Sequence, residues 1–307
     1  MAWRKLGLVF APPRDLAWMS SHAALPAVDP GGSRVYFSGR DRGGRAHVGW
    51  FDLDPDDPTR VRAVSPEAVL GPGPPGAFDD SGATVSCVVR AEGRLYLYYT
   101  GWSLGVTVPF YLFAGLAVSE DGGATFARVS GAPLLDRSEA DPYLTASPWV
   151  LVEDGLWRMW YVSGTRWEPG PSGPRHLYNI RYAESRDGIR WRRDGTVAID
   201  YGAPDEHAFS RPCVVRDQDG YRMWYSYRGA AYRLGYAESA DGRSWTRRDG
   251  LAGLPPSAEG WDSEMVAYPC VLDRRGRRYL LYNGNGYGAT GIGLARLDPS
   301  LAAPDVA

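Results

Sequence analysis

The sequence predicts an all-β fold, a five-bladed β-propeller with four-stranded antiparallel blades and an N-terminal strand that closes the last blade. Three observations predict it. A strand pair recurs five times, three of the copies continue into an Asp-Gly turn and an aromatic, and the last copy lacks its outer strand while a spare strand stands at the N-terminus.

The recurring pair is a short apolar run followed by a turn and a strand rich in Tyr and Trp, repeated at intervals of roughly 60 residues, a period typical of propeller blades. The clearest copies are Ser147-Pro148-Trp149-Val150 with residues 157–161, Arg211-Pro212-Cys213-Val214-Val215 with 221–225, and Tyr268-Pro269-Cys270-Val271-Leu272 with 278–282. Ser86-Cys87-Val88-Val89 with 94–99 and Leu25-Pro26-Ala27-Val28 with 34–37 complete the set. A third strand follows in residues 116–119, 180–185 and 234–239. It is closed by Asp121-Gly122, Asp187-Gly188 and Asp241-Gly242 leading to Phe126, Trp191 and Trp245. Asp-Gly supplies the positive φ that a tight hairpin needs. The last copy stops after residues 291–297, so Leu6-Gly7-Leu8-Val9-Phe10 is predicted to be its outer strand, removing the open edges that invite aggregation.

The chain has 307 residues and no Ser/Gly linker between copies, so residues 1–307 are predicted to form a single domain. A net charge of −2 points away from nucleic acid and anionic membranes. No apolar run approaches the roughly 20 residues of a membrane span, and the first ten residues are too poor in apolar groups for a signal peptide. A cytoplasmic protein is expected. Cys87, Cys213 and Cys270 share one register position in three copies. They are therefore read as small buried residues pointing away from one another rather than as disulfide or zinc partners.

Propeller ligands sit where the inner strands begin. Just upstream of those strands Asp79, Asp141, Asp205 and Asp262 recur, and a turn-forming Asp bonding backbone N–H groups accounts for a repeated feature. Residues that break the repeat are the candidates for function: His22, Asp80, Tyr143, Glu206, His207, Arg211, Glu264 and Tyr268. Ring closure brings Glu264, His22 and Asp80 to one side of the channel, where two carboxylates around an imidazole suit acid and base catalysis. Loops returning to the same face add Arg40, Asp41, Trp102, Arg166, Trp167, Arg228, Asn283 and Tyr287. Aromatics beside polar forks suit a sugar, and the arginines, with Arg211 orienting the substrate, suit an anionic group on it.

The repeated pattern of Asp154-Gly155-Leu156-Trp157-Arg158-Met159-Trp160-Tyr161 and Asp219-Gly220-Tyr221-Arg222-Met223-Trp224-Tyr225, with Trp18 before the first inner strand, resembles the five-bladed propeller glycosidases. These are glycoside hydrolase families 43, 32, 68 and 62 and the related family 130 phosphorylases. The resemblance covers residues 20 to 297. Ser21-His22-Ala23, Phe78-Asp79-Asp80 and Gly260-Trp261-Asp262-Ser263-Glu264-Met265 look most like a group of uncharacterised bacterial glycosidase-like proteins. The resemblance implies an essential Asp at the start of the first inner strand, where this chain has Ser20, Ser21 and His22. The second-blade Asp corresponds to Asp80, and near the third-blade acid stand only Glu139 and Asp141. Ordinary hydrolysis then requires Asp41 or Glu264 as a substitute. Some relatives hold calcium at the axis, but no ligand cluster here calls for it and no cofactor is expected.

Three functions follow. The leading one is a carbohydrate-active enzyme of glycosidase type with a rearranged site, in which Asp80 and Glu264 are the acid/base pair and His22 tunes a proton. The second is a phosphorylase, lyase, isomerase or cyclase acting on an anionic sugar-like intermediate. The third is a non-catalytic sugar-binding propeller.

Overall fold

The computed structural model describes residues 1–170 and 173–298, whose regular secondary structure is almost entirely β-strand. Strand β1 (Trp3–Phe10) precedes β2 (Ser21–Val28), β3 (Arg34–Arg40), β4 (Ala46–Leu53) and β5 (Val61–Val64). Next come β6 (Gly82–Ala91), β7 (Arg94–Leu104), β8 (Phe110–Ser119) and β9 (Ala127–Arg128), then β10 (Thr145–Glu153), β11 (Leu156–Glu168), β12 (Arg175–Ser185), β13 (Trp191–Arg192) and β14 (Val197–Ile199). The last are β15 (Ala208–Asp217), β16 (Gly220–Arg228), β17 (Tyr232–Ser239), β18 (Thr246–Arg247), β19 (Ala267–Arg274), β20 (Arg277–Asn283) and β21 (Ile292–Leu297).

Antiparallel pairing gathers these strands into sets: β2-β3-β4-β5, β6-β7-β8-β9, β10-β11-β12-β13, β15-β16-β17-β18 and β19-β20-β21-β1. They are the first to fifth units below. The first strand of each set packs on the next around a closed circuit, β2 on β6, β6 on β10, β10 on β15, β15 on β19 and β19 on β2. This is a β-propeller. As the sequence predicts, β1 is the outer strand of the fifth unit, running antiparallel to β21 from Trp3↔Leu297 to Phe10↔Ile292.

In three units the second strand carries a tyrosine that reaches a buried carboxylate ahead of the inner strand. The Tyr99 hydroxyl donates to Asp79 (3.0 Å), Tyr161 to Asp141 (3.0 Å) and Tyr282 to Asp262 (3.0 Å). A cation from the outer side completes each pair: Arg128 on Asp79 (2.8 Å), Arg193 on Asp141 (2.8 Å) and Lys5 of β1 on Asp262 (2.7 Å). Lys5 therefore stands where the other units place an outer-strand arginine. In the fourth unit Tyr225 donates to Asp249, and Arg247 spans Asp249 and Glu206 at 2.6 Å each. The first unit replaces the polar set by Phe37 against Met19, both fully buried in one cluster. While in the fourth unit Glu206 rather than Asp205 takes the cation, Asp79, Asp141 and Asp262 are thus latches between side chains. The turn-forming role expected of them gives way, because their oxygens are taken by phenol and guanidinium or ammonium donors.

Every inner strand also carries a β-bulge at the same place, between Ala24 and Ala27, Val85 and Cys87, Ala146 and Trp149, Ser210 and Cys213, and Ala267 and Cys270. In four of them the residue before proline takes a left-handed backbone: Leu25 (φ 59°), Ser147 (47°), Arg211 (54°) and Tyr268 (58°). Proline offers no N–H to the ladder and a bulge re-aims the side chain ahead of it. The neighbouring unit holds the strained residue in place. Leu25 N–H donates to Asn283 Oδ1 (2.8 Å), Ser147 N–H to Thr100 Oγ1 (2.8 Å) and Tyr268 N–H to Ser226 Oγ (2.7 Å). In the unit without the strained residue, Val85 N–H donates to Ser38 Oγ (3.0 Å).

Candidate functional site

Arg211 blocks the channel. It is 2% exposed, and its guanidinium donates to the carbonyls of Val85 (2.9 Å), Ser86 and Pro26 (2.6 Å), tying the fourth unit to the first and second across the axis. The three thiols converge on this plug, and Cys213 hydrogen-bonds Cys270 from the next unit. The expectation that they point apart gives way because the channel is narrow at this level. Burial pushes the Cys87 thiol up to about 12, which keeps it protonated. Arg211 is consumed by carbonyls, so it does not orient a substrate as the sequence suggested.

On the side of Arg211 where the inner strands begin lies a mouth cavity of about 310 Å3. Its wall combines the aromatics Trp102, Phe110, Tyr178, Tyr232 and Tyr268 with the hydroxyls of Thr84, Thr100, Ser147 and Ser210, and Arg40 stands at its edge. Arg40 and Arg211 are the only charged residues in this lining, and no carboxylate contributes to it among the described residues. Strained Ser147, Arg211 and Tyr268 all face it, so the bulges set the shape of the mouth. A larger opening of about 820 Å3 lies at the other end of the channel; its wall mixes Val and Leu with charged residues, and Arg90 and Arg275 in it are paired with Asp29 and Asp56.

The wall is locked by ring contacts. The Tyr178 and Tyr232 hydroxyls are 2.9 Å apart, and Tyr232 lies 5.9 Å from Tyr268 and 6.0 Å from Tyr287. Arg228 sits over Tyr232 (5.6 Å) and Tyr287 (5.9 Å). His176 stacks on Tyr178 at 4.7 Å, and its ring is 6.2 Å from that of His207. Trp167 meets His176 and Phe110 edge-on, at 5.8 and 5.4 Å. Burial, with His207, Arg228 and Arg175 adding to it, lowers His176 to about 4. Burial and then Arg40 lower His22, and burial lowers His207, with Arg228 and Arg175 also contributing. All three imidazoles are therefore neutral at neutral pH.

The residues expected to form the acid/base group neither meet one another nor line this cavity. Among the described residues no hydrogen bond or ion pair joins Asp80, Glu264 and His22. Asp80 accepts from Gly76 N–H (3.1 Å) and the Ser81 hydroxyl (3.0 Å), in the turn beside Trp102. Glu264 is exposed and its carboxylate has no partner among the described residues, while its backbone is fixed by Asn285 and Arg233. His22 has its Nδ1 3.0 Å from Ser21 Oγ, and Arg40 is the charge that acts on it.

Other candidates are committed elsewhere. Asn283 is wholly buried and faces its neighbours: besides accepting from Leu25, it donates to Ala23 O (2.8 Å) and Gly291 O (2.7 Å). Asp41 accepts from Arg45 and His47; burial raises its carboxyl, but these bonds outweigh it and hold the group low. Glu206 is clamped by Arg247, and Arg166 pairs with Glu168 at the outer rim. Tyr143 and Tyr287 stand exposed, and His207 sits just behind the wall. Phe110, His176, Tyr178 and Tyr232 escaped the sequence reading, which stopped at the loops. They are the opening residues of third strands, and carrying each loop a few residues into its strand finds them.

With this geometry, the chain compares with known proteins as follows. No protein-family model matches it. Solved structures with the same propeller fold include a BT0996 RGII complex (TM-score 0.76, 20% identity, 99% of this chain and 94% of that one). A thermostable family-43 glycoside hydrolase is similar at TM-score 0.70 and 16% identity, over 94% and 93% of the two chains. A structure from work on the GH130 family of mannoside phosphorylases is similar at 0.72 and 16%, over 98% and 95%. These likenesses define the fold class, a β-propeller. Within it, the chain belongs to the family of the uncharacterised proteins MT1551 and Rv1502 of Mycobacterium tuberculosis (strains CDC 1551 / Oshkosh and ATCC 25618 / H37Rv). It is 46% and 45% identical to them, over 97% of this chain and 100% of each relative.

Proposed function

We propose that the four-strand sets are the blades of a five-bladed propeller, and that the mouth cavity binds a sugar for a carbohydrate-active enzyme. The observation that carries this reading is the wall itself. A cavity of about 310 Å3 with aromatic faces alternating with hydroxyls offers stacking for sugar C–H groups and hydrogen bonds for sugar hydroxyls. The glycoside hydrolases and phosphorylases that share the fold support it.

The chemistry we assign departs from a paired-carboxylate hydrolase. Such enzymes set two carboxyl groups roughly 5 to 9.5 Å apart across the scissile bond, and here the cavity lining supplies none. Glu264 is the rim carboxylate left free to donate or accept a proton, while Asp80, already holding Gly76 and Ser81, fixes the loop beside Trp102. One acid with an external nucleophile, or with an internal one on the substrate, is the arrangement of a transferase, phosphorylase or lyase. A sugar-binding propeller without turnover is the second reading, favoured by the same missing carboxylates. Glu264→Gln separates them. Turnover of a sugar substrate lost at unchanged sugar affinity supports the catalytic role; full turnover in Glu264→Gln removes Glu264 from the mechanism, and saturable binding without product in the unaltered protein supports the second reading.

A further inference from the structure

We infer that the sugar held at the mouth carries an oxyanion, seated over Tyr268 between Arg40 and Arg228; this rests on the mouth being a sugar site. Both guanidiniums lack a carboxylate partner among the described residues, while several arginines near them have one. Arg45 is paired with Asp41, Arg166 and Arg175 with Glu168, and Arg247 with Glu206. Neither Arg40 nor Arg228 has such a partner among the described residues, and the cavity, lined by Arg40 and by the Tyr232 that Arg228 covers, has no carboxylate in its wall.

Tyr268 links the two positions. It lines the cavity with Arg40, feels the Arg40 charge, and lies 5.9 Å from the Tyr232 ring that Arg228 covers. Three of the chain's four histidines border the same face and are neutral there, so its positive charge is that of the arginines. The whole chain carries a net charge of −2, so this uncompensated positive mouth is a local feature rather than a sample of a basic protein. Guanidinium forks and phenol hydroxyls are the donors that phosphate and carboxylate oxygens take up in pairs. A phosphate or carboxylate fixed to the sugar and a free phosphate beside a neutral sugar share this chemistry, and we assign the sugar-borne form.

The test is isothermal titration of the full chain with a neutral hexose, its 6-phosphate, the matching hexuronic acid, and inorganic phosphate alone. The phosphate or uronate form is expected to bind at least tenfold tighter than the neutral hexose. Arg40→Gln and Arg228→Gln should each erase that gain, while Arg228→Lys keeps part of it and melting temperatures confirm folded variants. A neutral hexose that binds as well as its anionic forms, or a gain that survives both Gln variants, overturns the inference and leaves the sugar reading standing. Inorganic phosphate binding as tightly as the hexose phosphate overturns the sugar-borne assignment. Binding of no sugar, charged or neutral, overturns the sugar reading and the inference with it.

Discussion

Asp141 and Glu264 stand just ahead of inner strands in different units, and their fates are opposite. Asp141 is wholly buried, with Tyr161, Arg193 and Arg181 around it; Glu264 is exposed with nothing on its carboxylate among the described residues. The contrast separates two kinds of acid in a repeat protein. Asp79, Asp141 and Asp262 each satisfy a buried phenol and a cation, whereas Glu264 answers no such need.

The severest challenge to this contrast is to remove a latch at its most exposed join. Deleting residues 1–10 takes away β1 and Lys5 together, opening the β21 edge and leaving Asp262 buried without its cation. Stripping a buried carboxylate of its partner alone costs about 3 to 5 kcal/mol, so loss of cooperative unfolding or aggregation is expected in a thermal melt. A melting temperature within a few degrees of the intact chain would show that β1 is dispensable. Next comes Asp141→Ala, which orphans Arg193 and the Tyr161 hydroxyl and is expected to cost about 3 kcal/mol in urea unfolding.

The mouth histidines set a third test. Each is lowered in the fold, so between pH 6.5 and about 4 the unfolded chain binds protons that folded His176 refuses. Stability from this source is therefore complete above pH 6.5 and is lost as pH falls toward 4. The His176 share is at most about 3 kcal/mol, taking about 1.4 kcal/mol for each tenfold change in proton affinity. Urea unfolding at pH 7 and pH 4.5 should show the loss, and His176→Gln should flatten it. The smallest effect is Glu264→Gln, expected within about 0.5 kcal/mol of the parent because nothing is bonded to its carboxylate; a larger loss would give Glu264 a structural role.

Much of the fold was legible because strand pairing leaves periodic marks. The Pro-Cys-Val runs, the Met-Trp-Tyr strands and the Asp-Gly turns announce copies, and the missing outer strand after residues 291–297 announced β1. The mouth cavity was legible only at its edges. Arg40, Trp102, Tyr268 and Arg228 come from the anticipated positions, but Arg211 and Asn283 look in sequence like rim residues and turn out to be spent on backbone carbonyls and a neighbour's N–H. Nothing local distinguishes an Arg that reaches across a channel from one that reaches out of it.

Residue periodicity and the placement of turns were enough to set the β-propeller fold and the closing role of β1. Which charges are satisfied was settled only in three dimensions. Pairing of Asp79, Asp141, Asp262 and Glu206, the neutrality of the mouth histidines and the isolation of Arg40, Arg228 and Glu264 depend on distances across units remote in the chain, and local pattern carries no record of them.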